Sequence, residues 1–526
     1  MNHNLAHGFY ESSLRFPGNL ALSVGGCEFS YCQLRKLAQP VASWLRRNTV
    51  DPALRVGILA SRSLATYTGI LGTCWAGGTY VPISTKLPES RVIQLLEQVQ
   101  AEALIVDSQS IAALSERVLT CCPRLILAPD LETSSVMLAD NGKTVTLAGK
   151  DALSAFDVND APVPIKPDHV VYIIYTSGTT GIPKGVMIPA SGTAHYIASM
   201  QARYPLQPSD RIAGMTEITF DLSVFDMFVV WSKGASLLIV PASQLMAPAG
   251  FVQRQGCTGI FTVPSVVSGM HRMKMLPPGS LPSLRYSLLA GEPLPVFTAS
   301  IWKQAAPNSV VDDLFGPTEA TVVCIGQRFT GPENATPNRD VVAIGTPLTG
   351  MEAAIVDSSL ELLPDGQQGE LLLAGPQLSS GYFGAEDLSR VSFPILRGKR
   401  WYRTGDLAYR DSSGTFHHLG RIDNQIKVRG QRVELEEVES YLREIYGTDA
   451  VAAVAWPIEH GSADGIVAFV SGQIGEDGPD LKSRIKSRLP SYMVPSSIHR
   501  VESLPLNAHG KVNRRELVTL LDEGKF

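Results

Sequence analysis

Long apolar segments, basic leader segments and paired cysteines are all missing from this sequence. No run of about 18 apolar residues occurs, so we expect no transmembrane helix. The opening residues, MNHNLAHGFYESSLRF, lack a basic region followed by an apolar core, so we expect no signal peptide. The seven cysteines are scattered and form no CxxC pair, which argues against a zinc site and a complete disulfide framework. These absences predict a reduced, cytoplasmic protein without a membrane partner.

The sequence also lacks a strong excess of charge of one sign. Its formal net charge of -5 argues against a general nucleic-acid-binding protein. Hydrophobic residues make up 44% and charged residues 18%, which is typical of a globular chain rather than a disordered one. The 526 residues exceed what one hydrophobic core normally organises, so we expect two or more domains.

Short apolar segments alternate with helix-like segments through the first 320 residues. The predicted strands are 55–60, 80–83, 103–106, 170–174, 237–240, 260–263, 286–290 and 310–314, with helices such as 65–76 and 88–99 between them. This alternation predicts an α/β fold with layered parallel sheets. Residues 107–165 are less regular and predict surface insertions.

Two later segments follow different patterns. Short strands and turn signals from about 341 to 418 predict a β-rich subdomain. The polar segment 420–429 then predicts a boundary between an N-terminal core, residues 1–422, and a small mobile α+β C-terminal lid domain, residues 423–526. Helices near 435–445 and 481–489 and strands near 451–454, 466–470 and 498–501 are expected in the lid domain.

The segment from Val170 to Val186, VVYIIYTSGTTGIPKGV, combines a buried strand with a loop of small and hydroxyl-bearing residues. Backbone N–H groups and hydroxyls in such a loop can converge on an anion, with Lys184 nearby. The Gly-Lys-Ser/Thr ending of a P-loop is absent, so polyphosphate binding is predicted outside the P-loop NTPase fold. Taken alone, the loop is equally consistent with a surface loop after a core strand.

Five motifs occur in a fixed order along the chain. They are the 170–186 segment, FGPTE at 315–319, YRTGD at 402–406, GRID at 420–423 and NAHGK at 507–511. Together they resemble the adenylate-forming superfamily and are most similar to the amino-acid adenylation enzymes of nonribosomal peptide synthesis. The resemblance runs from Phe29 to about Arg515. It implies a ligase that activates a carboxylate with ATP and then forms a carbon–sulfur bond.

The chemistry of this family explains why such residues are needed. Attack of a carboxylate on the α-phosphorus of ATP brings two anions together, so Mg²⁺ and cationic side chains must neutralise the repulsion. The resemblance implies that Glu319 binds Mg²⁺ and that Thr318 contacts the α-phosphate. It assigns the β- and γ-phosphates to Thr176, Ser177, Gly178, Thr179, Thr180 and Lys184. Adenine would stack on Phe315, in a pocket also lined by Gly316, Gly291 and Glu292.

The remaining motifs imply roles in ribose binding, catalysis and domain rotation. Asp406 would accept both ribose hydroxyls, and Arg421 would help to hold the ribose and phosphate. Lys511 would reach between the reacting carboxylate and the α-phosphate, although His509 and Asn513 replace the usual Asn and Asp. Asp423 matches the hinge about which the small domain rotates between adenylation and thioester formation.

That rotation would carry Lys511 away and bring the loop around Gly430 to the site. A glycine there would leave room for a phosphopantetheine arm. We therefore expect a separate phosphopantetheinylated peptidyl carrier protein as partner, because only a short tail follows Lys511. Six basic residues could form a surface that is complementary to an acidic carrier protein, and the alternative is that they are simply solvated: Lys482, Arg484, Lys486, Arg488, Arg429 and Arg432.

The substrate is predicted from Asp221 and its neighbours. Asp221 resembles the residue that faces the α-amino group of an amino acid, since a buried carboxylate needs a cationic partner; an N-cap is the alternative. The other matched lining positions are apolar apart from one threonine: Leu222, Phe225, Thr262, Leu288, Ala290, Leu314, Val322 and Val323. This pattern is similar to that of stand-alone prolyl-activating ligases of natural-product biosynthesis, so L-proline is the first choice. Because Thr262 and Val323 depart from the commonest form, valine, isoleucine or a modified proline stays open.

Two other functions fit parts of the sequence. An acyl-CoA ligase would share the fold, but Asp221 and Asp423 argue against it. A catalytically inactive nucleotide-binding protein is disfavoured because Lys184, Glu319, Asp406 and Lys511 are all retained.

Overall fold

The computed structural model describes residues 3–49, 54–154, 160–178, 182–428, 430–459, 462–471, 479–506 and 512–526. Of the predicted site residues, Thr179, Thr180 and Lys511 lie outside the described residues. The same holds for Arg429 and His509.

Helices and strands alternate through the first 330 residues. In chain order they are α1 (Ala6–Arg15), β1 (Leu20–Val24), β2 (Cys27–Ser30), α2 (Tyr31–Asn48), β3 (Arg55–Leu59), α3 (Leu64–Trp75), β4 (Thr79–Ile83), α4 (Glu89–Val99), β5 (Ala103–Val106), α5 (Glu116–Cys121), β6 (Leu125–Leu127), β7 (Ser135–Leu138), β8 (Thr144–Ala148), α6 (Lys150–Leu153), β9 (Val170–Thr176), β10 (Lys184–Pro189), α7 (Ala190–Arg203), β11 (Arg211–Gly214), β12 (Ser236–Ile239), α8 (Ala249–Gln255), β13 (Gly259–Thr262), α9 (Pro264–Arg272), β14 (Tyr286–Ala290), α10 (Val296–Ala305), β15 (Val310–Phe315) and β16 (Ile325–Arg328).

The remainder of the chain is richer in strands. Its elements are β17 (Thr346–Pro347), β18 (Glu352–Val356), β19 (Gly369–Ala374), β20 (Gly381–Tyr382), α11 (Glu386–Ser392), β21 (Ile395–Leu396), β22 (Lys399–Arg400), β23 (Tyr402–Arg410), β24 (Phe416–Arg421), β25 (Gln425–Val428), β26 (Gln431–Glu434), α12 (Leu435–Tyr446), β27 (Val451–Ala455), β28 (Ile458–Glu459), β29 (Ser462–Ala463), β30 (Ile466–Ser471), α13 (Pro479–Lys486), β31 (Ser497–Val501) and α14 (Arg514–Asp522).

Two sheets form the centre of the large domain. Within the part of the chain that the structure describes, one has the strand order β17-β16-β15-β14-β13-β11-β12-β1-β2 and the other β20-β10-β9-β4-β3-β5-β6-β8-β7. Their central strands are parallel, and β4, β5, β13 and β14 are buried along their whole length. Strands covered by helices on both faces become continuous apolar runs, which is the pattern that the sequence shows. The predicted layered α/β fold is therefore confirmed.

The segment 107–165 differs in part from its prediction as surface insertions. β6 and β8 extend the second sheet in parallel beyond β5, and their inward side chains are buried. Exposure is concentrated in the edge strand β7, where the side chain of Val136 is 70% exposed. β6 has only three residues, and exposed positions interrupt β7 and β8, so none of them forms the continuous apolar run by which the other strands were predicted.

The β-rich subdomain is an antiparallel sheet with the order β18-β19-β23-β24. Its last two strands place Asp406 directly opposite Arg421, although the two residues are 15 positions apart. The register of one hairpin therefore joins two of the predicted motifs.

The last hundred residues form their own hydrophobic cores. One cluster joins α12 to β27 and β30 through residues such as Val438, Val451 and Ile466. A second cluster packs Leu517 of α14 against the opposite face of the same sheet, which contains β27, β30 and β31. No helix among the described residues combines the length and apolar character needed to cross a membrane.

Side-chain contacts fix how the small domain sits on the large one. Arg91 of α4 donates to Glu437 of α12 at 2.6 Å, and both side chains are buried. Ser90 donates to the carbonyl of Ser487 at 2.9 Å. In the same orientation β26 contacts the residue after β9, because the hydroxyl of Ser177 donates to the carbonyl of Arg432 at 2.9 Å.

Two helical glycines give a matched test of how closely the helices pack within the large domain. A Cβ on Gly72 of α3 would lie 2.6 Å from Cγ1 of Val41 in α2, whereas a Cβ on Gly269 of α9 would meet no atom within 4 Å. We expect Gly72→Ala to destabilise the large domain by about 1–3 kcal/mol through overpacking. Gly269→Ala should stabilise it by about 0.5–1 kcal/mol through backbone entropy. Denaturant unfolding followed by tryptophan fluorescence gives the unfolding midpoint of each variant. Midpoints that both rise or both fall relative to wild type would contradict the close contact between α3 and α2 at Gly72.

Candidate active site

The predicted phosphate loop connects two antiparallel strands. Thr176 at the end of β9 pairs with Lys184 at the start of β10, so the lysine returns beside the loop. A Cβ on Gly178 would lie 2.0 Å from the carbonyl oxygen of Ile182, which makes glycine necessary for this turn. The hydroxyl of Ser177 and the ammonium of Lys184 therefore lie close to each other at the carboxyl end of a central strand.

Glu319 lies in a short 3₁₀ helix, Thr318–Ala320, that follows β15. Its side chain is fully buried and accepts a hydrogen bond from the hydroxyl of Tyr382 at 2.8 Å. Arg432 of the small domain donates to both carboxylate oxygens, at 3.0 and 3.1 Å. Burial opposes ionisation, but the charge of Arg432 and the Tyr382 hydrogen bond outweigh it and lower the pKa of Glu319. Glu319 is therefore a carboxylate with a cation beside it.

The residues predicted to hold adenosine are brought together around Asp406. Nε2 of His418 and Nη1 of Arg421 each lie 3.1 Å from Oδ1 of Asp406. Burial opposes the ionisation of Asp406, but these partners outweigh it and hold its pKa below the usual range. The ring of Phe315 lies 5.9 Å, centroid to centroid, from that of His418. An aromatic face and an ionised carboxylate thus stand side by side, which suits a nucleoside.

Arg421 also contacts the predicted hinge residue. Its Nη2 and Nε atoms lie 2.6 and 2.9 Å from the two oxygens of Asp423, and Nη1 donates to the carbonyl of Thr404 at 2.6 Å. Gly405 adopts φ +69° beside this guanidinium, where a Cβ would lie 2.7 Å from Nη2. Arg421 therefore connects the Asp406 strand to the boundary segment. The hinge role of Asp423 stays a prediction.

The glycine of the small-domain hairpin lies against the large domain near Glu292. A Cβ on Gly430 would lie 2.9 Å from Cγ1 of Val263 and 3.8 Å from Oε1 of Glu292. Glu292 accepts a hydrogen bond from the backbone N–H of Ser265 at 2.8 Å, and its neighbour Gly291 has φ +87°. The hairpin backbone thus approaches the predicted nucleotide site as closely as only glycine allows.

Asp221 differs from the other two carboxylates. Its Oδ2 atom is buried and has no hydrogen-bond partner among the described residues. Burial raises the pKa of Asp221 to about 6, although the Thr318 hydroxyl opposes the shift. Buried hydroxyls of Tyr80, Tyr172 and Tyr196 also lack partners within the described part of the chain. Burial and then the charge of nearby groups, Asp221 among them, raise the pKa of all three tyrosines.

Most of the predicted lining residues belong to one hydrophobic cluster. Ala290 of β14 pairs in register with Leu314 of β15. The members of the cluster are Phe225, Leu288, Ala290, Leu314, Val322 and Val323, with Leu222 packed against them. Thr262 instead pairs with Leu289, a residue of the cluster on the other face of the sheet. Strand alternation therefore directs Thr262 away from Leu288, and its role in the pocket stays a prediction.

Val322 and Val323 of this set lie in a strained turn. Thr321 and Val322 have φ of +55° and +69°, a conformation that is uncommon for β-branched residues. The amide of Gln377 donates to the carbonyls of Ala320, Thr321 and Val323 at 3.1, 3.2 and 2.9 Å. Gln377 therefore holds the turn that presents Val322 and Val323.

The turn also explains the glycine of the FGPTE motif. A Cβ on Gly316 would lie 2.5 Å from Cα of Val323, so the chain after Phe315 passes directly against this turn. Only glycine permits that approach.

Several residues at the site carried no signal in the sequence. Tyr382, His418 and Gln377 contact Glu319, Asp406 and the 320–323 turn from distant parts of the chain. Lys427 of β25 is half-buried; desolvation lowers its pKa, and the charge of Asp406 opposes the shift. Only the position of His418, shortly before the GRID motif, could have suggested a role.

A metal carried by a nucleotide would find a suitable ligand here. Mg²⁺ bound to phosphates usually takes one or two carboxylates from the protein. Glu319 supplies one such carboxylate beside the phosphate loop. Among the residues that the structure describes, no group of three or more acidic, histidine or cysteine side chains could hold a metal by itself. The residues thus fit a metal that arrives with the nucleotide.

Family comparisons agree with this arrangement. A model of the AMP-binding enzyme family matches residues 9–383, and a model of the AMP-binding enzyme C-terminal domain matches residues 437–511. The chain belongs to the AMP-binding enzyme family, as its ordered motifs predicted.

Individual relatives are about 30% identical. The chain is similar to the solved adenylation domain AlmE of Vibrio cholerae in complex with glycyl-adenosine-5'-phosphate, with 31% identity, a TM-score of 0.87 and coverage of 99% of this chain and 98% of that one. It is also similar to the solved structure of IdnL7, with 31% identity, a TM-score of 0.72 and full coverage of both chains. These likenesses confirm the large N-terminal and small C-terminal domains.

Curated relatives include tyrocidine synthase 3 and tyrocidine synthase 2, both of Brevibacillus parabrevis. The identities are 31% over 522 residues and 32% over 515 residues. These matches cover 98% and 97% of this chain but only 8% and 13% of the relatives. The chain thus spans only a small part of the length of these two proteins.

The strained turn gives a testable prediction. Gln377→Ala removes the donor from three backbone carbonyls and should lower the free energy of unfolding by about 2–3 kcal/mol. The control is Gln327→Ala, because the Gln327 amide donates to the adjacent carbonyl of Arg328 in an exposed position. We expect the control to change stability by less than about 0.5 kcal/mol. Equal effects in denaturant unfolding would show that Gln377 does not hold the turn.

Proposed function

We propose that this chain uses ATP to convert an amino acid into the aminoacyl adenylate with release of pyrophosphate. It then transfers the aminoacyl group to the phosphopantetheine thiol of a separate peptidyl carrier protein. L-Proline is the proposed substrate. The proposal includes the division into a core, residues 1–422, and a lid domain, residues 423–526, with the hinge at Asp423.

The observation that carries the proposal is the buried, unpartnered Oδ2 of Asp221, whose neighbour Leu222 packs against the apolar cluster of predicted lining residues. A carboxylate in such a place is stabilised by a cation, and the α-ammonium group of an amino acid supplies one. A fatty or aryl acid offers no cation and would leave Asp221 without a partner. An amino acid is therefore the substrate class that this site suits best.

The apolar lining supports a compact side chain. Phe225, Leu288, Leu314, Val322 and Val323 are all buried, and none carries an ionisable group. A charged substrate side chain would be desolvated there without a partner. Ala290 is the smallest of these buried side chains, and an alanine among larger apolar residues suits a short aliphatic side chain or a pyrrolidine ring.

The nucleotide half of the site has matching charges. We propose that Ser177 and Lys184 hold the β- and γ-phosphates, with Thr318 at the α-phosphate. Asp406 accepts the ribose hydroxyls, and Phe315 stacks on adenine. Mg²⁺ held at Glu319 would neutralise phosphate charge as the substrate carboxylate attacks. Lys511, from the NAHGK motif, is the proposed cation at the bond being formed.

Similarity supports the same conclusion. AlmE was solved with a glycyl adenylate, the type of intermediate proposed here. The two curated relatives named above are tyrocidine synthases, and an adenylation step of this kind would suit a segment of such a synthase. The close approach of Gly430 to Glu292 and Val263 supports the second half-reaction, because it brings the hairpin proposed to meet the thiol arm to the site.

The substrate is tested by pyrophosphate exchange. Purified protein is incubated with ATP, labelled pyrophosphate and single amino acids, and we expect L-proline to give the fastest exchange. Valine and isoleucine are the informative comparisons, since they share the aliphatic character that the pocket selects. Faster exchange with either would show that proline is not the preferred substrate, but the proposal of amino-acid activation would stand. Thioester formation with coenzyme A but not with a holo carrier would instead indicate an acyl-CoA ligase.

The raised pKa of Asp221 predicts a pH dependence of amino-acid binding. Below about pH 6 the carboxyl group is protonated and cannot pair with the ammonium group. We expect the Kd of the amino acid, measured by calorimetry without ATP, to rise by up to about tenfold per pH unit below that value. Asp221→Asn should bind weakly at every pH and lose this dependence. A wild-type Kd that stays constant from pH 7 to pH 5 would contradict the role of Asp221.

A further inference from the structure

Strand β26 of the small domain carries two oppositely charged residues that reach the predicted phosphate and metal ligands. Arg432 donates to both oxygens of Glu319, at 3.0 and 3.1 Å. Two residues later, Oε1 of Glu434 lies 3.4 Å from Nζ of Lys184. Residues at this spacing point to the same side of a strand, so both side chains reach the large domain together.

The contact continues through the backbone of the same strand. The hydroxyl of Ser177 donates to the carbonyl oxygen of Arg432 at 2.9 Å. The large-domain groups engaged by β26 are thus a hydroxyl and an ammonium of the phosphate loop and the carboxylate of Glu319. These are the groups to which the proposed function assigns pyrophosphate oxygens and Mg²⁺.

Each charged side chain of β26 has the same sign of charge as the ligand group that the proposed function places at its partner. Arg432 presents a cation to Glu319, as Mg²⁺ would, and Glu434 presents an anion to Lys184, as a phosphate would. Glu319 is fully buried and Glu434 is 3% exposed, so neither carboxylate can exchange its partner for bulk water. A buried charge whose partner has left is strongly unfavourable. Departure of Mg²⁺-pyrophosphate would leave Glu319 in that state unless another cation took its place.

We infer that strand β26 is a built-in substitute for Mg²⁺-pyrophosphate: Arg432 replaces the metal at Glu319, and Glu434 replaces a phosphate at Lys184. The inference rests on the proposed function and adds a coupling between product release and domain orientation. Binding of Mg²⁺-pyrophosphate and docking of β26 exclude each other, since each needs the same two side chains. Arg432 is therefore a positioning residue for the second half-reaction and a competitor of the first.

The coupling between pyrophosphate release and domain orientation predicts which orientation accompanies each bound ligand. While Mg²⁺-ATP or Mg²⁺-pyrophosphate is bound, β26 has no partners at the phosphate loop and the orientation described here is disfavoured. Once pyrophosphate leaves, Glu319 and Lys184 gain most by accepting Arg432 and Glu434. AMP lacks the β- and γ-phosphates and should not compete with β26.

Calorimetric binding of Mg²⁺-pyrophosphate and of AMP tests the inference without catalysis. We expect Arg432→Gln to bind Mg²⁺-pyrophosphate about tenfold to a hundredfold more tightly than wild type, the size expected for loss of a charged hydrogen-bonded pair. AMP binding should change by less than about twofold. Arg432→Lys keeps the charge but not the position of Nη1, which donates to both oxygens of Glu319, and should fall between wild type and Arg432→Gln. Glu434→Gln frees Lys184 and should tighten pyrophosphate binding even with Mg²⁺ chelated.

Two controls separate this substitution of charges from simple loosening of the lid. Glu437→Gln weakens the contact with Arg91 and should tighten pyrophosphate binding equally with and without Mg²⁺. For Arg432→Gln the gain should be larger with Mg²⁺ than in chelator. Arg285→Gln removes a similar contact, in which one guanidinium nitrogen donates to both oxygens of Asp210. This contact lies at the amino end of β14, away from the site, so its loss should leave the binding of Mg²⁺-pyrophosphate and AMP unchanged.

The outcomes distinguish this inference from the proposed function. If Arg432→Gln gains equally with and without Mg²⁺, Arg432 only holds the domains together and the inference is wrong. Unchanged or weaker binding by folded Arg432→Gln and Glu434→Gln, with normal wild-type binding, overturns it as well. If wild type binds neither Mg²⁺-ATP nor Mg²⁺-pyrophosphate, the proposed function fails and this inference fails with it.

Discussion

The need of one buried carboxylate for a cation organises the centre of this protein. Glu319 has no exposed surface, and Arg432 and Tyr382, which contact it, are the largest contributions that stabilise its charge. The two partners come from the small domain and from β20, the edge strand of the second sheet of the large domain. Whichever cation occupies that position decides which parts of the chain can approach the phosphate loop. Domain orientation and ligand charge are therefore linked through a single side chain.

Three carboxylates at the site have different environments and so different protonation behaviour. Glu319 and Asp406 are buried beside cationic or hydrogen-bonding partners, which lower their pKa values. Asp221 is half-buried, its buried Oδ2 has no partner among the described residues, and desolvation raises its pKa to about 6. The first two have cationic or hydrogen-bonding partners before any ligand arrives, whereas one oxygen of Asp221 has none among the described residues. The protein environment thus separates groups that are chemically alike into two kinds of site.

Rigid strand ends and a strained turn position these groups. Thr176 and Phe315 end parallel strands of the two sheets, and ligands of open α/β sheets bind in the crevice beyond such ends. The turn containing Thr321 and Val322 adopts backbone angles that β-branched residues avoid. Gln377 compensates by satisfying three of its carbonyls. Strain that is stabilised in this way fixes a pocket wall more firmly than a relaxed loop would.

Sequence patterns alone determined the family, the layered α/β fold and the positions of the motifs. Apolar runs such as Tyr80–Ile83 specify buried parallel strands whatever their partners, and glycines such as Gly178 and Gly316 are needed for local backbone approaches. The strands of segment 107–165 escaped prediction because β6 has only three residues and exposed positions interrupt the apolar run of β8.

Only the tertiary structure decided that Tyr382, His418, Gln377 and Glu434 join the site, since each contacts a motif more than ten residues away. Local patterns carry the residue types that the chemistry can use, because a motif is read within one segment of chain. Which charges meet depends on strand register and domain packing, and long-range contacts alone establish both.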